Sequence, residues 1–219
     1  MTLDYGAPFT FLFQDKSWLK KFAIASLLTY TLVGAAPVFG WMIEIVRRVA
    51  QGEEPVIPEM KDWKLYWKLG GKFALVNALW LLPMLLATII IYLPLVFADR
   101  LPGEILLVLW SGMLCCMLIF LFVYSIAYVF FLPAMMVLLA GSGSVWQAAN
   151  PLRLWRTVRP RFSEYLIVFL IVGVALFNLM LLIAPFTLFL LLPPMLVYTG
   201  LVTAHFAGQL AKNNKPGNA

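Results

Sequence analysis

Apolar positions along this chain fill long unbroken stretches instead of alternating with polar ones. Five such stretches cover residues 22–46, 73–98, 105–140, 165–192 and 194–210, with polar connections between them. Each holds at least the roughly 17 residues that a helix needs to cross a bilayer. Period-two alternation between tight turns, the mark of a membrane β-barrel, does not occur in the sequence. The pattern therefore predicts an all-α fold, a polytopic transmembrane helical bundle of about four to five spanning helices. The first stretch is interrupted by Pro37 and Gly40 and is expected to bend there or to re-enter. The third holds about 36 residues, which at 1.5 Å rise exceed a ~30 Å hydrocarbon core. It is expected to tilt, or to bend near Pro133. One transmembrane domain over residues 1–211 and a short polar tail over 212–219 complete the expected organisation.

Two polar segments carry helical patterning of their own. In 60–72, Trp63, Tyr66, Trp67 and Gly70 recur at helical spacing beside a stripe of Lys61, Lys64, Lys68 and Lys72. Aromatic rings suit the headgroup boundary and lysines reach up to phosphate, so the segment is expected to lie flat on the cytoplasmic leaflet. The second segment, 144–159, follows Gly141-Ser142-Gly143. Ser144 is its expected N-cap. Val145, Ala148, Ala149, Leu152 and Trp155 make its apolar face, with Arg153, Arg156 and Arg159 beside it. Both segments read either as topology signals or as docking surfaces for anionic lipid or a protein. The expected interface comprises Lys61, Trp63, Lys64, Trp67, Lys68, Trp146, Arg153, Trp155, Arg156 and Arg159.

Composition changes the picture in one respect: it names the solvent. Of 219 residues, 63% are hydrophobic and 12% charged, against about 45–50% and about 25% in soluble domains. A chain of this length cannot bury so much apolar surface against itself, so lipid must receive part of it. The formal net charge of +6 would suggest nucleic acid in a soluble protein. Here Lys and Arg are expected on the cytoplasmic flanks of membrane segments, facing anionic headgroups. Membrane lipids are thus the expected partner, then other membrane subunits or self-association, and nucleic acid is not. Cys115 and Cys116 are neighbours that point to different sides of a helix, cannot pair with each other, and read as apolar fillers. The first fifteen residues hold Asp4 and Asp15 but no Lys or Arg, unlike a signal-peptide n-region, and the following apolar run reads as retained.

Threading follows from charge. Lys16, Lys20 and Lys21 precede the first stretch; Arg47, Arg48, Lys61, Lys64, Lys68 and Lys72 follow it. Arg153, Arg156, Arg159 and Arg161 follow the third stretch, and Lys212 and Lys215 stand in the tail, whereas Arg100 alone occupies 99–104. If all five stretches cross, the N-terminal lysines share a side with Arg100. If the first turns at 37–40 and returns, every basic residue except Arg100 faces the cytoplasm, together with both termini. The positive-inside rule favours the return, although 22–46 is long enough to cross.

Few polar groups sit within the apolar stretches. Glu44 is placed to pair with Arg48 at i,i+4. His205, with Gln209 one turn on, is a candidate polar intramembrane site, because a buried ionisable residue in lipid is a functional candidate by default. It is the single histidine, with no metal ligand near in sequence, so a hydrogen-bonded packing role reads more simply. No metal and no cofactor are expected. Gly200, Ala204 and Gly208 form a small-residue stripe for helix packing, within the chain or with a second copy or subunit. Residues 74–77 echo 175–178, each followed by a proline, Pro83 or Pro185; such paired breaks occur in transporters, and chance explains them more simply. No paired carboxylate, metal-spaced cluster, Gly-x-Ser-x-Gly elbow or phosphate loop is present, so an enzyme is not expected.

The run Phe39-Gly40-Trp41, then Arg47-Arg48, Pro58-Glu59 and Asp62-Trp63, resembles the opening of a prokaryotic membrane family catalogued as a domain of unknown function, family 4013. Gly141-Ser142 leading through Trp146, Ala148 and Ala149 to Arg153 and Tyr165 is similar to a second signature. Ala204-His205-Phe206 with Gly208-Gln209 is similar to a third. Trp41 and Ile57 stand where the family has Tyr and Leu. The resemblance spans nearly the whole chain and implies a polytopic helical protein of a prokaryotic inner membrane, with no activity to carry over. The function expected is that of a non-enzymatic accessory or scaffold subunit, or an organiser of the lipid surface. The alternative is a small transporter or channel with a midplane site near His205.

Overall fold

The computed structural model describes residues 3–54, 56–92, 96 and 102–213. Pro55, residues 97–101 with Asp99 and Arg100, and residues 214–219 with Lys215 lie outside the described residues, and with them the reading of Arg100 in the 99–104 connection. The described residues form helices and turns, with no strand among them. Contacts cluster into two compact units, Met1–Val76 with Phe130–Ala219, and Asn77–Val129.

The first unit opens with α1 (Ala7–Gln14), α2 (Trp18–Thr29) and α3 (Leu32–Gln51). The first apolar stretch does turn back, but at Tyr30–Thr31 and not at 37–40. Thr31 leaves the helical conformation, and its Oγ1 accepts the Gly34 amide at 3.0 Å, capping α3. The helix then continues without a break through Pro37 and Gly40. Gly40 serves a different purpose from the expected bend. A Cβ there would lie 1.9 Å from the Tyr66 carbonyl oxygen, and one on Gly70 would lie 1.7 Å from that of Ala36. Two glycines let the α3 and α4 backbones touch.

Helix α4 (Trp63–Ile91) and helix α5 (Gly103–Ser142) each contribute to both units. Because α4 runs without a break from Trp63, segment 60–72 is not a separate flat helix. It is mostly the basic end of a long one. Continuity likewise answers the expected bend in α5: the helix continues past Pro133, and Pro133, Ala134, Met135 and Met136 are buried. Then come α6 (Val145–Ala149), α7 (Pro151–Val158), a turn at Arg159–Arg161, α8 (Phe162–Val168), a π-helical stretch (Phe169–Leu176), α9 (Phe177–Phe186) and α10 (Leu192–Asn213).

Helices α3 and α10 lie parallel at the centre of this unit. Gly200 faces Met42, while Gly208 faces Val46 and Val49, so residue numbers rise together along the pair. Trp41, Ile43, Ile45, Leu201, Phe206 and Leu210 are almost wholly buried here. The pair ends where Gly52 takes a left-handed φ of 73° and receives the Lys212 side chain nearby. At its other end, the Tyr30 hydroxyl of the α2–α3 turn donates to the Leu190 carbonyl of the α9–α10 turn. That second turn places Leu188 and Phe189 at φ 49° and 63°, a conformation that costs an L-residue with a Cβ roughly 1–2 kcal/mol.

The second unit holds α4 beyond residue 76 and α5 up to residue 129. Tyr124 donates to the Trp80 carbonyl at 2.6 Å, its ring 6.0 Å from that of Trp80, and the Tyr128 hydroxyl bonds to Asn77 Oδ1. These polar contacts join two helices whose other faces are apolar and exposed, among them Leu85, Ile89, Val108 and Phe122.

Among the described residues, three helical stretches are long and apolar enough to cross a membrane: Trp63–Ile91, Gly103–Ser142 and Pro151–Phe186. The sequence pattern predicted four to five. Of the other apolar stretches, α3 carries Glu44, Arg47 and Arg48 within its last turns, and α10 packs along it.

Candidate functional site, the basic aromatic end

The helix ends explain why some of the basic residues are where they are. A helix leaves its last carbonyls without partners and its C-terminus negatively polarised. Arg47 Nε donates to the Ala140 carbonyl at 3.0 Å, and Lys72 Nζ to that of Gly143 at 2.5 Å, both at the end of α5. Glu44 holds Arg47 at 3.6 Å and Arg48 at 3.8 Å. Lys61 pairs with Glu59, and Arg161 pairs with Glu164 at 3.4 Å. These cations are committed to the fold.

Five predicted site residues are not so committed. Lys64, Lys68, Arg153, Arg156 and Arg159 are exposed and make no ion pair among the described residues. Trp63 and Trp67 stand exposed beside the two lysines, while the opposite face of α4 buries Tyr66, Leu69 and Phe73. Tyr66 and Gly70, expected in the outward stripe, therefore belong to the inner face.

On α7 the local logic differs from the expected one. The working cap is Asn150, whose Oδ1 accepts the amides of Leu152 at 2.9 Å and Arg153 at 3.3 Å, with Pro151 at the first helical position. Ser144 makes no side-chain cap bond. The chain changes direction at Asn150, so a continuous apolar face over 144–159 does not form. Ala148, Leu154 and Val158 turn inward, and Leu152, Trp155 and Trp146 turn outward, Trp146 being 77% exposed. The outward surface of α6, α7 and the turn that follows thus carries two indoles, Leu152 and the guanidinium groups of Arg153, Arg156 and Arg159. Near the ends of α3, α5 and α10 a cleft of about 520 Å³ adds Arg47 and Gln51 over Ala50, Ala140, Gly141 and Ala211, within the size range of small-ligand sites.

His205 is built into packing. Its ring lies 4.6 Å from that of Phe11 at 37°, and its Nδ1 is 3.2 Å from Gln209 Nε2. Gln209 also accepts the Asp4 amide at 2.9 Å and donates to the Asp4 carbonyl at 3.0 Å. With the Gln209 amide donating to Nδ1, the ring proton sits on Nε2. In the register of the α3–α10 pair, His205 falls between Gly200 and Gly208, beside the stretch of α3 that holds Glu44, Arg47 and Arg48. It lies toward the charged end of the unit. Ala204 is buried, and the stripe it forms with Gly200 and Gly208 is occupied by α3.

Asp4 escaped the sequence reading. Its carboxylate accepts the Gly6 amide at 2.9 Å and the Ala7 amide at 3.0 Å, and these bonds, Ala7's first, hold its pKa below the ordinary value. The signal was present: Asp4 precedes Gly6 and Pro8, the composition of a capped helix start.

Comparison with known proteins adds one finding. A family model described as a protein of unknown function (DUF4013) matches residues 23–207. No curated protein and no solved structure matches.

Proposed function

We propose that this chain, which belongs to the DUF4013 family of proteins of unknown function, is a non-enzymatic membrane protein that gathers anionic lipid at its basic aromatic end. In that role it organises the lipid surface or seats as an accessory subunit. The observation that carries the reading is that Lys64, Lys68, Arg153, Arg156 and Arg159 stand outward beside exposed indoles, whereas Arg47, Arg48, Lys72 and Arg161 are tied to carboxylates or to the end of α5. Each Lys or Arg at an anionic surface is worth about 1 kcal/mol, screened by salt. Five together supply roughly 5 kcal/mol at most, enough to enrich anionic lipid around one end of the molecule. By the positive-inside rule this end faces the cytoplasm, and the protein is a multi-pass one of a prokaryotic cell membrane.

The test is lipid retention after purification in mild detergent from membranes of mixed phosphatidylglycerol and phosphatidylethanolamine. Replacing Lys64, Lys68, Arg153, Arg156 and Arg159 with Gln should reduce the phosphatidylglycerol share bound to the protein towards that of the bulk membrane. An unchanged share refutes the proposal. A transporter or channel using a site at His205 draws no support from a ring packed on Phe11 with its Nδ1 already bonded.

A further inference from the structure

The end of the first unit opposite the basic one exposes mostly large apolar side chains, and most amides of its α9–α10 turn are bonded within the backbone. Two chain reversals meet there, Tyr30–Thr31 between α2 and α3, and residues 187–191 between α9 and α10. No Asp, Glu, Lys or Arg occurs in 22–43 or in 165–211, the stretches that carry these reversals. Phe186 is 84% and Leu188 88% exposed, and Phe189, Leu190, Leu27 and Val33 are exposed with them. A water-facing turn would not be built this way: turns at positive φ favour Gly, Asn or Asp, and here two bulky apolar residues take those positions.

Backbone hydrogen bonding points to the same solvent. The Phe189 amide bonds to the Ala184 carbonyl at 2.8 Å and the Leu188 amide to that of Pro185 at 3.1 Å, the paired bonds of a Schellman motif. The amides of Thr187, Leu190, Leu192 and Met195 are likewise bonded to backbone carbonyls. Pro193 and Pro194, which have no amide hydrogen, fill the first turn of α10, where a helix otherwise leaves donors free. The Leu190 carbonyl takes the Tyr30 hydroxyl. Water would satisfy such groups without this provision, whereas hydrocarbon demands it.

We propose that the joined α2–α3 and α9–α10 reversals form an apolar tip seated in the acyl chains of the bilayer, closed to water. The α2–α3 pair is then a re-entrant hairpin, and α10 begins within lipid. This inference concerns the opposite end from the basic aromatic surface and stands whether or not that surface holds anionic lipid.

The experiment is nitroxide accessibility in liposomes of phosphatidylcholine and phosphatidylglycerol. The single-cysteine variants are Leu188→Cys, Phe186→Cys and Trp146→Cys, each with Cys115→Ala and Cys116→Ala, and each accepted only if it elutes as the parent chain does. At 188 and 186 the label should relax with oxygen and lose nearly all collision with a water-soluble nickel chelate, while at 146 it should collide with nickel. Nickel collision at 188 and 186 equal to that at 146 overturns the proposal, since the tip then meets water. Low collision with both reagents overturns it too, since a second copy or another protein then covers the tip.

Discussion

Adjacent glycines in α4 should respond oppositely to the same substitution. A Cβ on Gly70 would stand 1.7 Å from the Ala36 carbonyl oxygen, whereas nothing lies within 4 Å of one on Gly71. Ordinary contact begins near 3.4 Å, so Gly70→Ala forces the α3 backbone, with no flexible side chain to yield, back by about 1.7 Å. Overpacking of this kind costs about 1–3 kcal/mol, and the upper end applies because buried Trp41, Tyr66 and Phe73 surround the crossing. Replacing a helical Gly with Ala returns about 1 kcal/mol of propensity in either variant. The net expectation is a loss of about 2 kcal/mol for Gly70→Ala and a gain of up to about 1 kcal/mol for Gly71→Ala. At 2–4 °C per kcal/mol for a chain of this size, the midpoints should move roughly 4–8 °C down and roughly 2–4 °C up. Thermal unfolding in one detergent, followed by tryptophan fluorescence and by loss of the monodisperse peak, reads both. A Gly70→Ala protein as stable as the parent refutes the backbone contact between α3 and α4.

Two further outcomes check local assignments. Asn150→Ala should lower the same midpoint by the equivalent of about 1 kcal/mol, and Ser144→Ala should leave it nearly unmoved; the reverse order would place the cap at Ser144. Asp4 is held below its ordinary pKa of 3.8 by the Ala7 and Gly6 amides. For Asp15, partial burial pushes upward but is outweighed by bonds from Lys21, at 2.5 Å, and Ser17, so its pKa is also lowered. A carboxylate whose pKa falls on folding stabilises the fold above its unfolded value and ceases to as pH drops through its folded one. Amide exchange at residues 6, 7 and 17, corrected for intrinsic rate, should therefore stay slow from pH 8 down to about 5 and quicken only below about pH 4. Quickening between pH 8 and 5 would contradict these bonds.

What could be read from the sequence was what depends on one-dimensional averages. Long apolar runs make helices, and their excess over any possible core makes lipid the solvent, whatever the tertiary arrangement. Segregated charge and exposed-type aromatics marked 60–72 and 144–159, and the family resemblance was carried by motifs spread along nearly the whole chain. Gly40 shows the limit. In sequence a glycine three residues from a proline reads as a hinge, and only the arrival of Gly70, thirty positions later, shows that it is a place where two backbones touch.

The same limit applied to each polar residue whose partner is distant. Lys61, Lys64, Lys68 and Lys72 are equivalent along a helix, yet Lys61 faces Glu59 and Lys72 reaches Gly143. His205 and Gln209 meet Phe11 and Asp4, about two hundred positions away, contacts that no local pattern announces. By itself the sequence determined the helical class, the apolar solvent and which segments carry charge, because each follows from composition and local period. The tertiary structure alone decided which cations stay outward, which small residues are contacts and where the first stretch reverses. Those depend on partners that approach in space, and local periodicity does not encode them.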